Sequence, residues 1–452
     1  MRRQRKFILT AMPPLVWLLL CGHVFAGPYS AGMNDPGNVY DAPVPGFVGP
    51  HGIGKARLVD FDVDLEPIVQ NPNNYVNPLF FAWANNVDSY YRADKLPPPN
   101  EDQFDDPSLA LGPVTGDNFD IVSLGDLTAQ KITQGNAPGN ITLTLAKPIR
   151  NLTGADFVVF ENGAVAQSNQ GGAGAGGVFG ELAYVEVSAN GIDFIRFPST
   201  SLTPSLVGGY GSINPTNVLN LAGKHANAYG DSWGTPFDLS QVGLAQITHI
   251  RIVDIPGNGA FKDNSGNSIY DAWLTFGSGG FDLEALGGIS TSMTYQEWPQ
   301  LQWLAASQRS EGDDPDGDGI SNLLEYAFGR LPWLADAAEA NPTCRIVSNI
   351  NDSQAEFTFL RDERLTDLSY EVQVSSTMAT NDWTTIATST AGGPMTATPG
   401  HHPTLTETSA SAIQSIGVIR KASVSVPTAD SVSGRQFFRI QIKRLTSGGA
   451  GS

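Results

Sequence analysis

The stretch ELAYVEVSANGIDFIRFPS, residues 181–199, decides the fold class. Tyr184, Val185, Glu186 and Val187 alternate apolar with polar, the two-residue period of a strand with one face buried. Asn190-Gly191, a pair suited to positive φ, interrupts the pattern before it resumes in IDFIRF, so the stretch reads as two strands joined by a tight hairpin. Outward from it, the same texture returns in ITLTLAKPI (141–149), DFVVFEN (156–162), ITHIRIVDIP (247–256) and GFDLEALGGI (280–289), each bounded by turn residues. Short strands at this spacing predict an antiparallel sandwich or jelly roll. Glu161 is out of place in this pattern, an acid closing an apolar run.

Composition agrees. The 452 residues include 49 Gly and 30 Pro with only 16% charged, and both residues break helix interiors, which disfavours a helical bundle. The formal charge is −19. Such a field repels phosphate backbones, which argues against a nucleic-acid partner, and suits cations. The first 26 residues carry basic groups and no acid, then an apolar run from Leu15 to Cys21 and small residues near Ala26. This is the pattern of a secretory signal cut near Ala26, and the expected location is secreted or at the cell surface. The run is shorter than the about 20 residues of a membrane span, and no later segment replaces it, so no transmembrane anchor is expected. Removing the signal leaves Cys344 alone, without a disulfide partner, in the role of a small buried hydrophobe.

The texture divides the remaining chain. Residues 27–50 read as an extended Gly/Pro/Asn-rich lead-in, 51–290 as a jelly-roll-like β domain, 291–335 as two short helices around an acidic loop, and 341–446 as a smaller sandwich of immunoglobulin or fibronectin type. Within the last of these, 391–412 is rich in Thr, Ser, Pro and His and reads as a long loop; 447–452 reads as a disordered tail.

The strongest chemical motif is DPDGDGISNLLE, residues 314–325, which satisfies the twelve-residue calcium-loop template D-x-D-x-D-G-x₅-E. Asp314, Asp316 and Asp318 alternate inward, Gly319 permits the sharp turn, Ile320 offers its carbonyl, Asn322 a direct or water-mediated oxygen, and Glu325 a bidentate carboxylate from the next helix. Ser321 stands where tandem EF-hands usually carry a branched apolar residue, so the site is expected to be single. Calcium is the expected cofactor, with affinity in the extracellular class of about 10⁻⁴–10⁻³ M. DPDGDGISNLLEYAFG resembles thrombospondin type 3 and dockerin-like calcium modules of secreted bacterial surface proteins.

A second resemblance covers most of residues 44–290. Runs such as GADFVVFENG (154–163), ELAYVEVSANGIDFIRFPS (181–199), LAGKHANAYGDSWGTPFDLS (221–240) and IYDAWLTFGSGGFDLEALG (269–287) are similar to a family of bacterial cell-surface proteins. That resemblance implies location and a jelly-roll-like fold, and no reaction. GGFDLEALG also resembles the closing strand of galactose-binding-type jelly rolls, which implies sugar binding and a structural calcium. Extracellular glycans are therefore candidate partners, with loop-borne Trp233 the best stacking residue among the tryptophans. Asp254, Asp263, Asn267 and Asp271 offer oxygens for a second calcium site, and such residues are also ordinary turn formers.

Enzymatic readings are weaker. Gly230-Asp-Ser232-Trp-Gly234 matches the nucleophile elbow G-x-S-x-G, but Thr235-Pro236-Phe237 follows with no helical period, and Gly172-x-Gly174-x-x-Gly177 lacks the following helix of a dinucleotide fold. Glu161 and Glu181 form a candidate carboxylate pair for polysaccharide hydrolysis, and His225 and His249 are candidate partners for Ser232. The preferred reading is a noncatalytic calcium-binding surface protein with a structural or adhesive role. A carbohydrate-binding protein and a polysaccharide-active or ester hydrolase are the alternatives.

Overall fold

A computed structural model describes residues 27–30, 41–49, 53–57, 73–94, 104–228, 230–336, 341–349, 352–410, 418–428 and 435–445. The expected signal sequence at 1–26 and the expected tail at 447–452 lie outside these residues. The protein is mainly β. Up to residue 290 the main strands are β1 (Val44–Pro45), β2 (Ala82–Tyr91), β3 (Val122–Ser123), β4 (Asn140–Arg150), β5 (Phe157–Glu161), β6 (Ala183–Ser188), β7 (Ile195–Arg196), β8 (Trp233–Phe237), β9 (Gln246–Asp254) and β10 (Asp282–Gly288), with a short helix α1 (Ala129–Thr133) after β3. They form one curled antiparallel sheet in the order β1-β8-β5-β10-β2-β4-β9-β6-β7, with β3 also on β10.

Strand β2 is the fold line. Ala82 and Trp83 pair with Gly288 and Gly287 of β10, whereas residues from Ala84 onward pair with β4. The two halves close on one core shared by Leu143, Val185 and Ile250 from one side and Phe157, Val159 and Leu286 from the other. The unbroken run FVVF of β5 follows from burial on both faces, because Val158 and Phe160 enter a second core with Val44, Phe47 and Leu79. β6 and β7 pair with Val187 opposite Ile195, the strands read from the sequence. Their turn is longer than expected. Only Gly191 takes positive φ, at 75°, while the Asn190 side chain accepts from the amides of Ile192 and Asp193.

After residue 290 the first expected helix becomes three short 3-10 segments, Tyr295–Glu297, Pro299–Trp303 and Ala306–Gln308. Pro299 explains the break, since the residue before a proline is held extended, as Trp298 is at ψ 112°. Helix α2 spans Asn322–Phe328 and stops at Gly329, whose φ of 66° is left-handed.

The remaining strands are β11 (Thr343–Asn349), β12 (Asp352–Asp362), β13 (Leu368–Ser375), β14 (Thr384–Thr390), β15 (Thr396–Ala397), β16 (Thr404–Ser409), β17 (Ile419–Pro427) and β18 (Phe437–Arg444). They make two four-stranded sheets, β11-β12-β17-β16 and β15-β14-β13-β18, facing across Phe357, Phe359 and Val424 on one side and Tyr370, Val372 and Ile386 on the other. The expected loop at 391–412 therefore contains two strands. TLTETS of β16 carries no apolar alternation because it pairs only with β17 at the sheet edge, where β-branched threonines suffice. Cys344 is exposed on edge strand β11, contrary to the buried role expected for it.

Helix α2 is built into this second sandwich. Tyr326, Ala327 and Phe328 share its core with Tyr295 and Trp298. The Tyr370 hydroxyl donates to the Ala327 carbonyl at 2.6 Å, and the Tyr326 hydroxyl to Asp367 Oδ1 at 2.8 Å. Arg364 then joins both sandwiches: its Nη1 donates to the Leu79 carbonyl at 2.8 Å, its Nε and Nη2 grip the Asp362 carboxylate, and its guanidinium lies 3.6 Å from the Phe81 ring centre. Both members of this ion pair are buried. Arg364→Ala would leave Asp362 as an uncompensated buried charge, and we expect it to lower the unfolding free energy by about 3–5 kcal/mol in denaturant titration.

Candidate metal centre

The acidic loop is shaped by its own hydrogen bonds. Asp314 accepts from the amides of Gly317 and Gly319, each at 2.9 Å, Asp316 from Asp318 at 3.2 Å, and Asp318 from Ile320 at 2.8 Å. Gly317 and Gly319 take φ of 77° and 92°, and nothing stands within 4 Å of where either Cβ would be. Backbone conformation, not space, demands glycine at both. The turn brings one oxygen each of Asp314, Asp316 and Asp318 within 4.8 Å of one another.

A second group shares Asp318. One oxygen each of Asp318, Glu325 and Asp336 also lie within 4.8 Å of one another. Glu325 comes from the first turn of α2, the helix whose Tyr326 and Phe328 enter the sandwich core. It is fully buried, and neither carboxylate oxygen has a hydrogen-bond partner. Burial, reinforced by Asp316, Asp318, Asp336 and Asp314, pushes its carboxyl up to about 9. An acid in that position requires a proton or a cation. Four carboxylates around the orphaned oxygen pair of Glu325, with no sulfur or imidazole among them, fit a hard divalent ion taking six to eight oxygens.

Asp336 is the residue that sequence reasoning missed. It lies outside the twelve-residue template, and the chain after α2 folds back so that its amide donates to Asp318 Oδ2 at 2.9 Å while Arg330 pairs with its carboxylate at 3.2 Å. Asn322, expected as a ligand, keeps its Oδ1 buried and without a hydrogen-bond partner. Its Nδ2 donates to the carbonyls of Gln308 and Ser310 at 2.8 and 2.9 Å, stapling the start of α2 to the preceding turn. Ile320 is buried, as an apolar residue at the loop's inner edge requires.

The four residues of the expected second site are not brought together. Asp263 and Asn267 form the turn between the short strands Asn258–Lys262 and Ser268–Tyr270. Asp263 accepts from the amides of Ser201, Ser265 and Asn267 and from Asn267 Nδ2, all at 2.8–2.9 Å, and these bonds hold its carboxyl low. Its acceptor capacity is spent on the turn. Asp254 and Asp271 lie deeper, fully buried. Trp233 is buried in β8 at 4% exposure, its ring against Gly54, so it offers no stacking face; the loop read around it is a strand. Ser232 is wholly buried immediately before β8, where a strand and no helix follows, which is not the geometry of a nucleophile elbow. His225 sits against the Asp41 carbonyl and His249 beside Thr248, away from Ser232 in the hydrogen-bond network. Glu161 and Glu181 are both buried.

Neither protein-family models nor curated proteins give a match to the chain. Among the described residues, no helix is long and apolar enough to cross a membrane.

Buried acids set a pH dependence. Asp126 and Asp156 are raised to about 7 and Asp282 and Glu284 to about 8, each chiefly by burial. With Glu325 they bind protons more tightly folded than unfolded, so their stabilising contribution is complete below about pH 4 and is lost as pH rises to about 9. In chelator, the melting temperature should fall steadily between pH 5 and 9, and calcium at the loop should reduce the part of the fall that Glu325 contributes. A flat profile in scanning calorimetry would contradict the assignment.

Proposed function

We propose that the protein is a secreted, noncatalytic calcium-binding protein whose metal fastens a helix into the second sandwich, giving a surface-associated structural or adhesive module. The observation that carries this reading is Glu325, buried with both oxygens unpartnered among Asp314, Asp316, Asp318 and Asp336. Calcium neutralises that charge, and because α2 shares its core with β12 and β13, the gain passes into the fold of the second sandwich. Asp336 extends the effect past the helix, pinning the chain that leads to β11.

Calorimetric titration tests it. Asp316→Ala and Glu325→Gln should abolish calcium binding at the loop, and Asp336→Asn should weaken it by about tenfold through loss of a charged ligand. Binding in Glu325→Gln at wild-type affinity and with wild-type heat at this site would overturn the reading.

A carbohydrate-binding reading has support from other residues than Trp233. Tyr210 and Phe276 are 73% and 80% exposed, and their loops meet where Gly209 packs against the Leu274 carbonyl. Exposed aromatics of this kind suit sugar stacking. A double Tyr210→Ala, Phe276→Ala variant should lose any glycan-array signal shown by the parent; a signal that survives it places recognition elsewhere.

A further inference from the structure

The large domain buries acids that the loop at 314–336 does not use. Asp126, Glu161, Glu181, Asp254, Asp271 and Asp282 gather where β3, β5, β9 and β10 end or begin: Asp282 pairs with Ser123, Leu283 with Glu161, and Asp254 with Ala183. Asp254, Asp271 and Asp282 are each 1% exposed and Glu161 2%. Surrounding backbone supplies donors, and Ser278, Ser123 and Asn162 add side-chain bonds to Asp282. Leu182 donates to Asp271 at 2.7 Å, Phe281 to Asp254 and Gly163 to Glu161 at 2.8 Å, and Gly280 to Glu181 and Thr275 to Asp126 at 3.1 Å.

Those donors do not suffice. Asp126 Oδ1, Glu161 Oε1, Asp254 Oδ2 and Asp282 Oδ1 remain buried without a hydrogen-bond partner. The Thr275 hydroxyl touches Glu181 Oε1 and Asp126 Oδ2 together, yet it has one proton to give and already accepts from the Gly280 amide. Arg92 faces Asp282, with Nε on the Asp94 carbonyl and Nη2 on that of Gly277. One guanidinium does not balance six carboxylates. Burial and mutual repulsion raise the carboxyls of Glu161, Glu181, Asp254 and Asp271 well above their usual range.

We propose that this end of the large domain holds a second hard divalent cation, of the calcium class, among Asp126, Glu181, Asp254 and Asp282, with Glu161 and Asp271 completing the charge around it. The donors are carboxylate, hydroxyl and backbone oxygens, the set that calcium accepts in flexible geometry. These carboxylates are looser than those of the loop: among the described residues, only the acids of 314–336 bring three such oxygens within 4.8 Å of one another. Carbonyl oxygens or water supply the remaining ligands. The site is distinct from the expected set, since it keeps Asp254 and Asp271 and replaces the turn residues Asp263 and Asn267.

The test uses the full chain stripped with chelator and titrated with calcium alone. In a Glu325→Gln background, which silences the loop, one calcium should still bind and raise the melting temperature. Adding Asp254→Asn should remove that binding, and because the amide replaces an uncompensated buried charge while keeping an acceptor for Phe281, the variant should melt at or above its parent in chelator. Should Asp254→Asn fail to fold by circular dichroism, Glu181→Gln carries the same expectation. No calcium uptake and no melting shift in Glu325→Gln would show that protons alone neutralise the cluster, and calcium retained by both double variants would also overturn the proposal. The Asp254→Asn single variant, which should keep the loop's calcium and lose only the second, separates failure of this proposal from failure of the loop reading.

Discussion

A carboxylate taken out of water must be met by N–H donors, by a cationic side chain, by a proton or by a metal, and this chain takes many out. Which of these partners each acid receives organises the molecule. Asp263 receives four hydrogen-bond donors and makes a turn. Asp362 receives the Arg364 guanidinium and joins two sandwiches. Glu325 receives none, although it sits at the base of a helix whose other residues lie in a hydrophobic core. The difference between a structural acid and a site is visible in that accounting, and it does not follow from burial alone.

The position of α2 matters as much as the acids that precede it. Tyr326 and Tyr370 exchange hydroxyl bonds with groups on opposite sides of the contact between helix and sandwich, and the Met293 amide and carbonyl pair with Arg364 and Thr366 of the second sandwich. The acidic loop thus hangs from the second sandwich as one of its parts. A cation held there would act on core packing, whereas a freely jointed linker would have passed its effect only to the angle between domains.

Much of this was legible beforehand. The strands at 141–150, 157–161, 183–188, 246–254 and 282–288 carry their own apolar pattern, and the loop carries a spacing that few other functions require. What was illegible depended on tertiary placement. Asp336 lies beyond any local template and arrives only because the chain turns back after Gly329. Trp233 looks loop-borne among Gly, Asp and Ser, yet its partner strands are β1 and β5, remote in sequence. Pro299 dissolves a helix whose apolar spacing looked sound, and the threonines of β16 hide a strand because an edge needs no buried face. Glu161 was the one acid whose oddity showed in sequence, and its reason, a buried carboxylate among others, required the fold.

The lead-in before β2 shows how this architecture must be assembled in time. Asp41 is bound in a buried ion pair to Lys224, 183 residues later, and Val44 and Pro45 lie opposite Gly234 and Trp233 in the sheet. A chain synthesised from its N-terminus cannot make either contact until about half its length has emerged. The first segment to appear is then among the last to be seated, and non-local closures of this kind slow folding. Until β5 and β10 exist, Val44, Phe47 and their neighbours have no core to enter, and the nascent chain must carry that apolar segment unprotected.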